Sequence, residues 1–226
     1  MEIIKNKQFD EERALYNSKN VTIDHCLFAG IRDGESVLKE SRNIEVFNSS
    51  FSLRYPLWHV DTFVLKDSSF DEKTRAAIWY SKFGKIDQTK LFGIKAIREC
   101  QNIQIKNCQI QSNEFGWKSK DIELIDSSIE SEYLFLDSKD VFVKNIQMKG
   151  KYSFQYMENL LIENSILDTK DVFWHSKNVI VNDSTIKGKI ESIKNPKSGF
   201  IKADSIGHII KENSIMEDTC KIETKF

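Results

Sequence analysis

A repeat of about 19 residues runs through most of the chain and constrains its fold more than any other feature. In each unit, a strand-like run follows a Ser-Lys or similar pair, and the first residue after the pair marks the repeat. These marker residues are Asn20, Asn43, Thr62, Phe83, Asn102, Asp121, Asp140, Asn159 and Asn178. Their spacings are 23, 19 and 21 residues, and then 19 five times. A fixed period of this length predicts a solenoid in which each unit forms one coil.

Three positions of the repeat are apolar in nearly every unit, which indicates that they share one interior. The position three residues after the marker is aliphatic throughout, from Ile23 to Val181. The positions eight after and five before the marker are also apolar, with Gly116 as the exception. The marker and the position five after it are mostly Asn or Asp, which tolerate left-handed backbone angles and form side-chain ladders when stacked. Parallel strands stacked about 4.8 Å apart would bury the apolar positions.

The fold class predicted from this pattern is all-β, a single-stranded right-handed parallel β-helix of about nine to ten coils. Hexapeptide and pentapeptide solenoids have about 18 and about 20 residues per coil, and their apolar positions are evenly spaced, unlike those of this chain. The coil length also disfavours a hexapeptide-like acyltransferase.

One β-helix domain is predicted over residues 1–226. Residues 1–12 are expected to form an N-terminal cap, as a strand or an irregular segment, and residues 13–193 the regular coils. Residues 194–226 are expected to form a terminal coil and a cap, because repeat-like strands around Ile206 and Ile215 are only nine residues apart. Pro196 and Gly199 would mark the change of direction. The chain is therefore predicted to be a monomer, or a homodimer that pairs through its terminal coil.

Composition argues against several classes of partner. The 33 basic and 34 acidic residues give a net charge of −1, so nucleic acid is not an expected partner. No apolar run approaches the roughly 18 residues of a membrane span, and the N-terminal stretch does not resemble a signal peptide. The four cysteines form no C-x-x-C pair, so reduced thiols and a cytoplasmic location are expected. No metal site or cofactor is predicted.

Several stretches resemble an uncharacterised bacterial family, a domain of unknown function with a pectate-lyase-like β-helix. The matching stretches, spread over nearly the whole chain, are ERALY, GESVLKES, YPLW, RAAIWY, KAIREC, DVFWHSKNV and NPKSG. The resemblance implies a right-handed parallel β-helix and implies no activity.

All four tryptophans occupy one position of the repeat, four residues before the marker. They are Trp58, Trp79, Trp117 and Trp174. This position adjoins a buried one, so strand alternation turns it outward. Arg98 holds the same position between Trp79 and Trp117. The sequence therefore predicts an exposed stack in which Arg98 lies between two indole faces, a contact worth about 0.5–1 kcal/mol at an exposed site.

Polar neighbours extend this surface into a candidate ligand site. The next position along the strand carries Glu40, His59, Tyr80 and Glu99. The two longer coils carry their extra residues just before this strand, so Arg32, Asp33, Glu35, Glu72 and Arg75 are expected to rim it. The predicted ligand-binding residues are Glu35, Glu40, Trp58, His59, Arg75, Trp79, Tyr80, Arg98, Glu99 and Trp117.

Flat aromatic rings beside carboxylates and basic groups suit a sugar, so the predicted function is a non-catalytic binding or scaffold module with carbohydrate as the candidate ligand. The alternative is a carbohydrate-active enzyme, a polysaccharide lyase or glycoside hydrolase acting at this same face. Glu40 and Glu99 are three coils apart, about 14 Å, too far for a hydrolase pair, whereas Glu35 or His59 would be closer to Glu40. Arg75 and Arg98 are candidate lyase bases. The aromatic stack is also compatible with a purely structural ladder or a protein interface.

Overall fold

A computed structural model shows a parallel β-solenoid. It describes residues 1–30 and 34–187, together with the backbone of 199–203, 205–206 and 220–224. Every strand pairing in these segments is parallel, and no helix occurs in them. The parallel β-solenoid predicted from the repeat is confirmed, while the right-handed sense stays a prediction.

Two long sheets and one short sheet form the walls of the solenoid, with strands numbered in chain order. The strands of the first long sheet from β3 onward begin one residue before the marker. This sheet contains β1 (Glu2–Lys5), β3 (Lys19–Asp24), β5 (Arg42–Phe47), β8 (Asp61–Lys66), β11 (Lys82–Asp87), β14 (Gln101–Lys106), β16 (Lys120–Ile125), β18 (Lys139–Lys144), β20 (Glu158–Glu163) and β22 (Lys177–Asn182). The second contains β2 (Gln8–Phe9), β4 (Leu27–Phe28), β6 (Ser50–Phe51), β9 (Ser69–Phe70), β12 (Lys90–Phe92), β15 (Gln109–Gln111), β17 (Ser128–Glu132), β19 (Gln147–Lys151), β21 (Ile166–Lys170), β23 (Thr185–Lys187) and β25 (Ser205–Ile206). The short third sheet contains β7 (Leu57–Trp58), β10 (Ile78–Trp79) and β13 (Ile97–Arg98).

Neighbouring coils pair in the register that the repeat predicts. Ile103 lies beside Ile122 and Ile105 beside Leu124, each 19 residues on. The position three after the marker is buried in every coil, as is the position eight after it. The position five before the marker is buried from Leu38 onward, whereas Leu15 in the first of these coils is half-buried. These three columns form one continuous core.

Left-handed residues turn the chain at the corners of each coil. The marker residues have φ between 53° and 63°, and the residues five after them between 46° and 53°. The Asn/Asp preference predicted these two corners. Two further corners, three and seven residues before the marker, also have positive φ, although they carry residues such as Tyr80, Lys95 and Glu99.

Gly116 interrupts an otherwise apolar column because its space is taken by the next coil. It has φ of +77°, and a Cβ placed on it would lie 2.2 Å from Cδ1 of Phe135. The large Phe135 ring therefore fills the core where the glycine leaves room.

Two internal ladders of serine hydroxyls satisfy backbone groups at the corners. One ladder occupies the repeat position six residues after the marker. The other ladder occupies the position two residues before the marker. In the second ladder, Ser119 accepts a hydrogen bond from the Cys100 N–H at 3.1 Å, and its own N–H donates to Ser138 at 3.1 Å. Ser138 then donates to the Gly116 carbonyl at 2.7 Å. Each serine thus links two successive coils.

Three cysteines occupy the same internal ladders. Cys26, Cys100 and Cys108 are buried and unpaired, which agrees with the expected free thiols, while the Cys220 side chain lies outside the described residues. Burial raises the pKa of Cys100 to about 12 and that of Cys108 to about 11. Both thiols therefore stay protonated and serve as small core fillers.

The segment expected to form the N-terminal cap contains strands. β1 and β2 pair in register with β3 and β4 and begin the two long sheets. At the other end, β24 (Gly199–Ala203) pairs with β26 (Cys220–Thr224), and β25 extends the second long sheet. The expected turn at Pro196, the strand around Ile215 and most of the predicted dimer surface lie outside the described residues.

Replacing Ser119 with alanine tests whether the serine ladder stabilises the stack. The Cys100 N–H would lose its acceptor while staying buried, so we expect a loss of about 1–3 kcal/mol in the free energy of unfolding. Urea denaturation measures it. The exposed Ser128→Ala variant is the matched control and should change stability by less than about 0.5 kcal/mol. Equal stability of the two variants would contradict the proposed role of the ladder.

Candidate functional site

Five side chains from successive coils form one stack on the outer side of the third sheet. Trp58 and Trp79 are paired in register, and their rings stack with centroids 5.3 Å apart and planes 14° apart. The Arg98 guanidinium carbon lies 5.8 Å from the Trp79 ring and 4.8 Å from the Trp117 ring. At the other end, Lys39 Nζ lies 4.0 Å from the centre of the Trp58 ring. We call Lys39, Trp58, Trp79, Arg98 and Trp117 the Trp ladder, and the predicted position of Arg98 is confirmed.

The rings of the ladder are less exposed than predicted. Trp58, Trp79 and Trp117 are half-buried, and the Nε1 atoms of Trp58 and Trp79 are buried without a hydrogen bond of regular geometry. Lys39, Arg98 and the rings themselves cover the indole faces, and Tyr55 packs 5.9 Å from Trp58 and 5.6 Å from Trp79. The prediction of an exposed stack is wrong in this respect, because each ring faces its neighbours along the solenoid axis.

A second row of side chains lies outside the ladder and is more accessible. We call the residues three before the marker the outer row, and it begins in this region with Glu40, His59, Tyr80 and Glu99. The Tyr80 ring stacks on Trp79 with centroids 5.1 Å apart and planes 18° apart, and the residue remains 44% exposed. His59 meets the Tyr80 ring edge-on at 5.1 Å, and its Nδ1 lies 3.9 Å from Glu40 Oε1. Tyr80 is thus an open ring on a packed aromatic base.

Glu99 holds Arg98 in place and lies close to Tyr80. Arg98 Nε donates to Glu99 Oε1 at 2.9 Å, and the Tyr80 hydroxyl approaches the same carboxylate closely enough to shift both pKa values. The Trp79 indole N–H also approaches Glu99, but outside hydrogen-bond geometry. Burial raises the pKa of Glu99, whereas the interactions with Tyr80 and Arg98 lower it, and the net pKa is below its usual value. The interaction with Glu99, together with burial, raises the pKa of Tyr80.

The structure brings together most of the predicted site. The assembled residues are Glu40, Trp58, His59, Trp79, Tyr80, Arg98, Glu99 and Trp117. Glu35 forms an ion pair with Arg54, the chain neighbour of Tyr55, and the backbone of Arg75 pairs with Arg54 and Ile94. The placement of Glu35 and Arg75 at the rim of the site stays a prediction.

The remaining residues of the predicted rim are Glu72, Arg32 and Asp33. Glu72 lines a groove on the second long sheet together with Ile94 and Lys151. Arg32 and Asp33 lie outside the described residues.

Sequence reasoning missed three residues that complete the site. Lys39 and Tyr55 cover the aromatic rings, and Lys95 Nζ lies 5.6 Å from the Trp117 ring while pairing with Glu114 at 3.1 Å. Lys39 shares its repeat position with the tryptophans, so the alignment already contained that signal. Tyr55 and Lys95 share the position seven before the marker, where only the left-handed corner turns them toward the ladder.

A smaller aromatic cluster lies four coils later, with a different set of ring contacts. Tyr156 stacks on His175 with centroids 5.2 Å apart and planes 17° apart, and it meets Trp174 edge-on at 5.4 Å. Tyr156 is 45% exposed, nearly the same as Tyr80. Both clusters use the positions three and four before the marker, so they lie in the same two rows.

Glu40 and Glu99 are not placed as the carboxyl pair of a glycoside hydrolase. A glycoside hydrolase needs a carboxyl group with a raised pKa as its acid, whereas the pKa of Glu99 is lowered. Glu40, in the same row, is three coils away, about 14 Å. Over residues 1–30 and 34–187, no group of three His, Cys, Asp or Glu residues is placed to hold a metal ion. In the same part of the chain, no helix is long and apolar enough to cross a membrane.

Comparison with family models decides the relationship of this chain to other proteins. The family model DUF3737, whose description is "protein of unknown function", matches residues 2–189 and 185–223 of the chain. The chain belongs to the DUF3737 family. A search of the curated proteins finds no match to this DUF3737 protein.

Comparison with solved structures gives only remote similarity. Two structures of trypsin-treated variants of QnrB1, a plasmid-mediated fluoroquinolone resistance protein, are 11% and 10% identical to this DUF3737 chain. The first covers 83% of this chain and 92% of QnrB1 with a TM-score of 0.28, and the second 82% and 89% with a TM-score of 0.23. Scores this low support no conclusion about fold or activity, so the fold assignment rests on the strand register.

The pH dependence of Glu99 tests the hydrogen-bond network at the site. Because its pKa in the folded protein is below the unfolded value near 4.5, ionised Glu99 stabilises the fold above about pH 4.5. That contribution is lost as the pH falls through the folded pKa. NMR titration of the Glu99 carboxyl carbon should give a midpoint below 4.5, and Tyr80→Phe should raise it. Tyr156→Phe is the control and should leave the midpoint unchanged; a wild-type midpoint at or above 4.5 would refute the network.

Proposed function

We propose that this DUF3737 protein is a non-catalytic binding module and that its ligand is a carbohydrate held at the outer row beside the Trp ladder. The observation that carries the proposal is the placement of Tyr80, which lies flat on Trp79 and leaves nearly half of its surface accessible. A sugar ring could pack its C–H face against the accessible part of the Tyr80 ring. This contact would remove apolar surface of both rings from water and so favour binding.

Polar groups around Tyr80 suit the hydroxyl groups of a sugar. The Glu99 carboxylate lies on one side in the outer row and the exposed His59 on the other. Glu40 follows His59 and lies 3.9 Å from its Nδ1. A ligand pocket generally combines an apolar surface with a few placed polar groups, which is the pattern of this region.

Rigidity of the supporting residues favours binding. Arg98 is fixed by two aromatic rings and by Glu99, and Trp79 is held by Trp58, Tyr55 and Tyr80. A surface that is already ordered loses little side-chain entropy when a ligand binds. The Trp ladder therefore acts as the base of the site, while Tyr80 and His59 make the contacts.

Binding to a glycan array tests the proposal. We expect wild-type protein to bind at least one glycan, and Tyr80→Ala to lose about tenfold or more in affinity, a change of about 1.4 kcal/mol. The Trp58→Ala/Trp79→Ala variant should also lose binding, because Tyr80 loses its base. Tyr133→Ala is the matched control, since Tyr133 is an exposed tyrosine stacked on Tyr152 at another repeat position.

Two results would overturn this function. One is a wild-type protein that binds no glycan on the array. The other is binding that Tyr80→Ala leaves unchanged, because the ligand would then lie elsewhere on the solenoid.

A further inference from the structure

The outer row continues well beyond Tyr80 as a line of accessible side chains, one from each coil. From Glu40 onward it contains, in chain order, Glu40, His59, Tyr80, Glu99, Lys118, Asp137, Tyr156 and His175. All eight have φ between 51° and 60°, so each leaves the backbone at the same corner of its coil. All are exposed except Glu99 and His175, which are half-buried.

The order of residues in this row is symmetric about Lys118. An acidic residue lies on each side of it, then a tyrosine, and then a histidine. Tyr80 and Tyr156 are separated by four coils, about 19 Å at the spacing of parallel strands. Their exposures of 44% and 45% are nearly equal, and each tyrosine packs against a tryptophan of its own cluster. The row therefore has two aromatic contact points with polar groups between them.

The surface between the two tyrosines suits an extended ligand. Glu99, Lys118 and Asp137 present one polar side chain per coil. Below them, Arg98, Trp117 and Leu136 are half-buried and form a mixed floor. Polar groups that recur at one coil spacing match a ligand whose hydroxyl groups recur along its length.

The charges of this surface balance one another. Glu99 binds Arg98 at 2.9 Å within the site. On the neighbouring position just before the marker, Lys82 pairs with Asp61 at 3.3 Å and Lys139 with Glu158 at 2.6 Å. No single sign of charge dominates, which favours an uncharged ligand over an acidic polymer.

A second copy of the chain fits this row poorly. If two rows met antiparallel about Lys118, Glu99 would face Asp137 of the other copy and Lys118 would face its own equivalent. A shift by one coil would relieve these contacts, but it would bring Lys139 opposite Lys82 or opposite Lys120 on the flank, and would crowd the carboxylates that pair with these lysines. Like charges placed opposite each other across an interface oppose association.

We infer that the outer row binds a linear, uncharged carbohydrate chain that runs parallel to the solenoid axis from Tyr80 to Tyr156. This inference rests on the proposed function and extends it. The two tyrosines contact sugar rings at the two ends of the bound segment, and Glu99, Lys118 and Asp137 hydrogen-bond to hydroxyl groups between them. The second cluster, Tyr156 with Trp174 and His175, is a binding subsite.

Dependence of affinity on ligand length tests this inference. The probes are neutral gluco-, xylo-, manno- and N-acetylglucosamine oligomers from disaccharide to octasaccharide, with oligogalacturonates as acidic counterparts, measured by calorimetry. For at least one neutral series, wild-type affinity should rise by at least about tenfold with length and then level off, because the second contact adds to the first. Tyr156→Ala should remove this rise with length, whereas Tyr80→Ala should weaken binding at every length. Tyr133→Ala is again the control, and circular dichroism of each variant verifies folding.

The outcomes separate this inference from the proposed function. Binding that depends on Tyr80 but is independent of length, or unaffected by Tyr156→Ala, would overturn the extended site alone. Binding of no oligomer would overturn both. Preference for the acidic oligomers would refute an uncharged ligand. A wild-type dimer that Lys118→Glu dissociates would show that a second copy covers the row, and would overturn the inference.

Discussion

The parallel hydrogen bonding of each coil to the next is the interaction on which the rest of this structure depends. It fixes the register at one repeat, so every residue lies beside its equivalent in the neighbouring coil. The core, the serine ladders and the outer surface are consequences of this one constraint. A single coil could not bury its own apolar side chains, and the internal hydroxyl groups satisfy backbone N–H groups only because another coil lies above them.

The same register turns a repeated position in the sequence into a continuous surface. Trp58, Trp79, Arg98 and Trp117 are far apart along the chain, yet they form one packed ladder. Stacking fixes the rings but also covers their faces. The accessible aromatic surface is therefore provided by Tyr80, the residue that follows Trp79 in the chain. The stacked tryptophans therefore form a rigid base, and Tyr80 provides the accessible contact surface of the same aromatic cluster.

Features that follow from register were predictable from the sequence, and features that depend on side-chain conformation were not. The period placed Arg98 between Trp79 and Trp117, because all three share one repeat position. The part of the indole burial that comes from Tyr55 could not be predicted, since it depends on how Tyr55 turns at a left-handed corner. Glu35 was assigned to the site from the position of a longer coil, but its ion pair with Arg54 depends on side-chain conformation and could not be predicted.

The most direct test of this account is the NMR measurement of nuclear Overhauser effects around the Arg98 side chain in solution. The account predicts cross-peaks from the Arg98 methylene protons to the indole protons of both Trp79 and Trp117, two residues that are 38 positions apart. Cross-peaks to only one of them, or direct contacts between Trp79 and Trp117, would contradict the register and the surface built on it.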